Sequence, residues 1–172
     1  LTSPAFELPH LQNHVDEGTS AVTSIGSYFS NMLDQTMSWK DAEQLRSNWD
    51  GPFALKGIVS VEDARKAVDI GCDGVIVSNH GGRQLDGAVS PFDQLARIVD
   101  AVGDKLEVIL DGGVRRGTHI LKALAMGAKA CMGGRAYLYG LAAGGEEGAY
   151  RSLNLLKDEV QNNMILLGCK DI

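Results

Sequence analysis

The chain has 172 residues, 44% hydrophobic and 22% charged, a composition that excludes a disordered tail or low-complexity polymer and fits one domain with its own core. A formal net charge of −6 excludes a surface built to neutralise nucleic-acid phosphates. A closed (β/α)8 barrel takes about 250 residues, so a complete one is excluded as well.

Against 4 prolines stand 21 glycines, which points to many tight turns or to a backbone that approaches a ligand closely. Cys72, Cys131 and Cys169 are far apart and form no C-x-x-C pair, as expected of structural thiols in a reduced, cytoplasmic setting. No basic region followed by an apolar core opens the chain, so no signal peptide is read, and no apolar run approaches the ~20 residues of a membrane span. A start at Leu1 rather than Met is expected of a processed end or a fragment boundary.

Residues 1–37 form a first segment in which the only charges are Glu7, Asp16, Glu17 and Asp34. Pro4 and Pro9 break its start, and Val22, Ile25, Phe29, Met32 and Leu33 then fall at near-helical spacing. A short amphipathic helix or an excursion over another surface is expected. His10 and His14 are four apart, a metal-ligand spacing on a helix, but Pro9 and the lack of a third ligand weigh against a metal.

From Ser38 the pattern is regular. Ser38 can cap a helix reaching Asn48, with Trp39, Ala42 and Leu45 on one face, and Gly51-Pro52 ends it. Residues 53–57 read as a buried strand, and Ser60 caps a helix carrying Val61, Ala64, Ala67 and Val68. Residues 74–78 are a second strand; Phe92, Leu95, Ile98, Val99 and Val102 mark the next helix. Residues 106–111 make a third strand, 118–126 a helix and 129–133 a fourth strand. Two closing helices fit 135–143 and 146–167, the second turning Tyr150, Leu153, Leu156, Val160, Met164 and Leu167 inward. Strands starting near 53, 74, 107 and 129, each followed by a helix and apolar on both faces, predict an α/β fold with a parallel sheet. Four such units make either a small open sheet or part of a (β/α)8 barrel.

In both architectures chemistry gathers where strands end and helices begin. Four loops lie there: Lys56-Gly57, residues 78–86 (SNHGGRQLD), residues 111–117 (DGGVRRG) and Gly133-Gly134-Arg135. The last two read as one phosphate site, with glycine N–H groups, a helix N-terminus and the guanidinium groups of Arg115 and Arg135. Because barrels bind phosphate after strands 7 and 8, the four strands read as the fifth to eighth. The bland alternative is a pair of tight turns with surface arginines. His80, at a strand end beside flexible glycines, can serve as a general base, and Arg83 can hold a carboxylate; equally, Arg83 can pair with Asp86 and His80 be an ordinary loop residue. Lys56 by itself is more simply a solvated lysine.

Together, LKG at 55–57, SNHGGRQLD at 78–86, DGGVRRGT at 111–118 and GRAYLYGL at 134–141 closely resemble the FMN-dependent 2-hydroxy acid oxidase and dehydrogenase family, which includes glycolate oxidase, mandelate dehydrogenase and L-lactate dehydrogenase. The resemblance runs from about Ser38 to the C-terminus and implies the C-terminal half of a TIM barrel. It implies that Lys56 and Ser78 line the flavin, that His80 is the active-site base, and that Arg83 binds the substrate carboxylate. Asp111, Gly113, Arg115, Gly134 and Arg135 would hold the ribityl chain and phosphate of FMN. The implied reaction oxidises a small L-2-hydroxy acid to the 2-oxo acid and passes electrons to oxygen, a quinone or a cytochrome. WKD and WDG at 39–41 and 49–51 favour the lactate branch. His119 stands where the family commonly has aspartate, a helix-surface change expected to have little effect. The first half of the family's barrel, with further substrate-contacting and histidine-orienting groups, has no counterpart here; residues 1–37 would be the variable excursion after barrel strand 4, which in respiratory members reaches the inner face of a membrane. Missing groups imply that the isolated chain turns over little or nothing, and that it needs the other half of a barrel or a second copy. The rival reading is a non-catalytic FMN- or phosphate-binding half-barrel that self-associates.

Overall fold

The computed structural model describes Ser30 and residues 32–172. The amphipathic stretch centred on Val22, Ile25 and Phe29, and the pair His10 and His14, lie outside the described residues. Residues 42–172 form one compact unit and residues up to Asp41 another. In the segment ending at Asp41, Asp34 accepts hydrogen bonds from the Thr36 N–H and hydroxyl (2.8 and 2.6 Å), and Asp41 accepts from the Ser38 N–H and hydroxyl (both 2.7 Å). The second pair is half of a capping box: the third helical residue reaches back to the cap's own N–H.

The elements run α1 (Trp39–Ser47), β1 (Ala54–Lys56), α2 (Val61–Asp69), β2 (Gly74–Val77), a 3-10 turn (His80–Gly82), α3 (Pro91–Val102), β3 (Glu107–Asp111), α4 (Gly117–Ala125), β4 (Ala130–Met132) and α5 (Arg135–Leu167). Helical geometry in α5 is interrupted at Gly144 and Gly145, so the two closing helices expected from the sequence are present, joined at that break. Punctuation elsewhere follows the sequence. The Ser60 hydroxyl accepts the Asp63 N–H and starts α2, Pro91 occupies the first turn of α3, and Gly168 at φ 71° ends α5.

All four strands are parallel in the order β1-β2-β3-β4. Leu55 lies beside Val75, Val75 beside Val108, and Leu110 beside Cys131. Strand alternation puts Val75, Val77, Val108 and Leu110 on one face, at most 2% exposed, under Ala64 and Ala67 of α2, Leu95, Ile98 and Val102 of α3, and Ala123 of α4. That is the core, and the two alanines let α2 approach the sheet closely.

The opposite face is different. It carries Lys56, Ile76, Ile109, Asp111 and Met132; the isoleucines are half-buried and Met132 is 41% exposed. The sequence reading of strands buried on both faces therefore holds for one face of β2 and β3, and for neither face of β1 and β4, where Leu55 and Cys131 are half-buried and their neighbours exposed. Helical spacing also overstated burial elsewhere. Leu45 of α1 is exposed, and in α5 Leu156, Val160 and Met164 are half-buried while Tyr150, Leu153 and Leu167 face solvent. Periodicity selects a side of a helix; it does not supply the surface that covers it.

Candidate functional site

Parallel strands bring all four candidate loops to the C-terminal edge of the sheet, around a cleft of about 640 Å³. Lys56, His80, Arg83, Asp111, Gly113, Arg115, Gly134 and Arg135 line it, and Ser78 sits directly beneath. The register explains the middle of the site. Lys56, the last residue of β1, Ser78, immediately after β2, and Asp111, the last of β3, end their strands on the uncovered face.

One carboxylate oxygen of Asp111 accepts from both Lys56 Nζ (2.7 Å) and the Ser78 hydroxyl (2.6 Å). Lys56 Nζ also donates to Ser78 Oγ (3.0 Å), which in turn accepts the His80 N–H (3.0 Å). Ser78 is 2% exposed, and these contacts satisfy it completely. Burial pushes the Asp111 carboxyl up, but the hydrogen bonds from Lys56 and Ser78, with the charges of Lys56 and His80, outweigh it and hold the group below the usual carboxylate range. Lys56 is thus held by charge at a strand end rather than simply solvated.

His80 has φ 58°, a left-handed conformation otherwise confined, among the described residues, to glycines. Gly81 and Gly82 continue it at 68° and 71°. The turn is held by Asn79, whose Oδ1 accepts the Gly82 N–H (3.1 Å) and whose Nδ2 donates to the Val89 carbonyl (3.3 Å). An asparagine before two glycines is the signal of such a turn, and Asn79 belongs with the site residues although sequence reasoning did not single it out. Backbone strain at a non-glycine residue presents the imidazole, exposed, at the cleft. Arg83 is exposed, and none of the four ion pairs among the described residues includes it. Pairing of Arg83 with Asp86 is therefore not what this loop does.

The phosphate end joins the β3–α4 and β4–α5 loops. Gly112 and Gly113 have φ 116° and 72°, a path that L side chains rarely adopt, and a Cβ at Gly113 or Gly134 would project into open space. Arg135, first residue of α5, reaches across to donate to the Gly81 carbonyl (2.7 Å), so the phosphate and histidine loops touch. Two expectations need correction. The N-terminus of α4 is already engaged: Glu159 of α5 accepts the Gly117 N–H (2.7 Å) and pairs with Arg116 (2.8 Å), which holds the Glu159 carboxyl below its usual range. What faces the cleft at this end is the glycine backbone with Arg115 and Arg135. His119 is also no passive surface residue, since its half-buried ring lies against the Gly113–Arg115 backbone. Among the described residues no group of three or more His, Cys, Asp or Glu side chains is placed to hold a metal ion, and no helix is long and apolar enough to cross a membrane.

The model of the FMN-dependent dehydrogenase family matches residues 3–172. The chain belongs to that family. It is 42% identical over its full length to the FMN-dependent alpha-hydroxy acid dehydrogenase qulF of Penicillium citrinum, covering 43% of that protein. It is 49% identical over 146 residues to L-lactate oxidase of Nostoc, covering 85% of this chain and 40% of the relative. The solved structure of mandelate oxidase with benzoyl-formic acid superposes with a TM-score of 0.74 at 50% identity, covering 77% of this chain and 40% of that one. The chain thus spans roughly two fifths of the length of these relatives, and its four parallel strands correspond to part of their fold.

Proposed function

We propose that this chain carries the base and the phosphate cup of an enzyme that oxidises an L-2-hydroxy acid, L-lactate in preference, to the 2-oxo acid with FMN. The observation that carries the reading is one cleft at the strand ends: four cations, Lys56, Arg83, Arg115 and Arg135, and an open-backed glycine backbone surround about 640 Å³, within the usual range for a cofactor site. These residues fit a flavin mononucleotide: Asp111, Gly113, Arg115, Gly134 and Arg135 would hold its ribityl chain and phosphate, and Lys56 and Ser78 would line its ring. FMN, when bound, supplies the two-electron acceptor. Arg83, which has no carboxylate partner among the described residues, clamps the substrate carboxylate, and His80 takes a proton from the substrate as it loses two electrons. Oxygen, a quinone or a cytochrome removes the electrons afterwards. Relatives named for L-lactate support the substrate preference. In this reading residues 1–37 are the variable excursion preceding the half-barrel.

In a full-length context, His80→Gln should retain FMN and fail to bleach it with L-lactate under anaerobic conditions. Unchanged bleaching by that variant would remove His80 from the base role and sink the mechanism. The chain by itself should bind FMN yet turn over little, so turnover at an intact relative's rate would refute the half-site assignment. One observation favours a second reading, a self-associating FMN-binding half-barrel: the uncovered sheet face flanked by the edge strands β1 and β4. A yellow, dimeric and inactive preparation would select it.

A further inference from the structure

His119 stands in the first turn of α4, and its Nδ1 lies 3.3 Å from the Arg115 backbone nitrogen and 3.2 Å from the Gly113 carbonyl oxygen. One nitrogen cannot serve both groups at once. With a lone pair, Nδ1 accepts the Arg115 N–H; with a proton, it donates to Gly113. Among the described residues no backbone carbonyl accepts the Arg115 N–H, and an unmade N–H bond is the rarer and costlier defect, since a carbonyl has two lone pairs and finds water more easily. Between the two contacted residues, Val114 is 6% exposed, anchoring the loop from below.

We propose that His119 is a positioning residue for the anion-binding loop: a neutral imidazole, protonated on Nε2, whose Nδ1 accepts the Arg115 N–H and bridges the bend over Val114, holding Arg115 at the cleft wall. Two glycines at positive φ leave this loop with many alternative paths, and the ring closes it onto one. The ligand served is a phosphate group, free or carried by a flavin nucleotide, and that part rests on the function proposed above.

Nuclear magnetic resonance of the isotopically labelled chain at pH 8 tests the assignment. The His119 spectrum should show a proton on Nε2 and none on Nδ1. His119→Ala should speed exchange of the Arg115 amide about fivefold, as expected for loss of one ordinary hydrogen bond, while the Val108 and Leu110 amides of β3 keep their rates and report that the fold persists. His119→Asn places Oδ1 where Nδ1 stood and should restore slow exchange; His119→Gln places its amide at the Nε2 position and should not. A protonated Nδ1, or an Arg115 amide indifferent to His119→Ala, would overturn the proposal. Titrating inorganic phosphate and FMN into the same samples separates the two readings. Perturbation of Arg115 by either probe supports the ligand assignment, whereas a confirmed His119 bond with no response to either overturns the FMN function and leaves the loop brace standing.

Discussion

Replacing Asp111 by asparagine tests the network that joins three strand ends. The amide keeps an oxygen where the carboxylate oxygen was, so both donors retain an acceptor and what disappears is charge. Hydrogen bonds to charged groups contribute about 1.5–3 kcal/mol against about 0.5–1.5 for neutral ones, so each bond loses roughly 1 kcal/mol. Ser78 is buried and its bond loses the full amount. Lys56 is 43% exposed at its side chain, and solvent screening reduces its share by about half. Asp111→Asn should therefore destabilise the chain by about 1.5 kcal/mol at pH 7, read from urea unfolding followed by circular dichroism. The pH dependence carries the sign. Because the folded carboxyl titrates below the ordinary value, its stabilisation is complete above about pH 4 and is lost as pH falls through the folded value. The gap between the two proteins should consequently close in acid. A Lys56→Met background should shrink the effect as well, since one of the two donors is gone. A difference below about 0.3 kcal/mol at pH 7, or one as large at pH 3 as at pH 7, would refute the reasoning.

Two further outcomes concern the α4–α5 contact. A Cβ on Gly117 would lie 2.5 Å from the Val160 nitrogen and 2.6 Å from the Glu159 carbonyl carbon; backbone cannot swing aside, so Gly117→Ala should lower stability by about 1–3 kcal/mol, measured by urea unfolding, and a neutral result would mean that the helices are not in contact there. Glu159→Gln should speed exchange of the Gly117 amide at neutral pH, and because the Glu159 carboxyl titrates below its usual range, wild type should converge on the variant only as pH falls through that depressed value.

Much of the fold was legible because it rests on local rules. Expected strand starts at 53, 74, 107 and 129 compare with observed starts at 54, 74, 107 and 130, since buried parallel strands are short apolar runs bounded by glycine, aspartate and lysine. Ser60, through its hydroxyl, and the Gly144-Gly145 break, through its backbone, act within a few residues and need no distant partner. Burial was less legible. Leu153 and Leu167 have the right spacing in α5 and are exposed, because helical periodicity says nothing about which surfaces are present to meet it.

The candidate site divides along the same line. The sequence placed most of its candidates: residues at four strand ends, with His80, Arg83 and the glycine-arginine loops on one rim, follow from parallel topology, and the motifs carry the family, whereas Asn79 was not singled out. Only the tertiary structure decided who binds whom. Asp111 is 55 residues from Lys56 and 33 from Ser78, and no pattern along the chain announces that one oxygen joins them. Glu159 occupying the α4 terminus and Arg135 reaching Gly81 are likewise decided by packing. The physical reason is range: turn, cap and strand preferences act over a few residues, whereas hydrogen bonds between loops depend on register and helix placement, quantities that exist only once the sheet has formed.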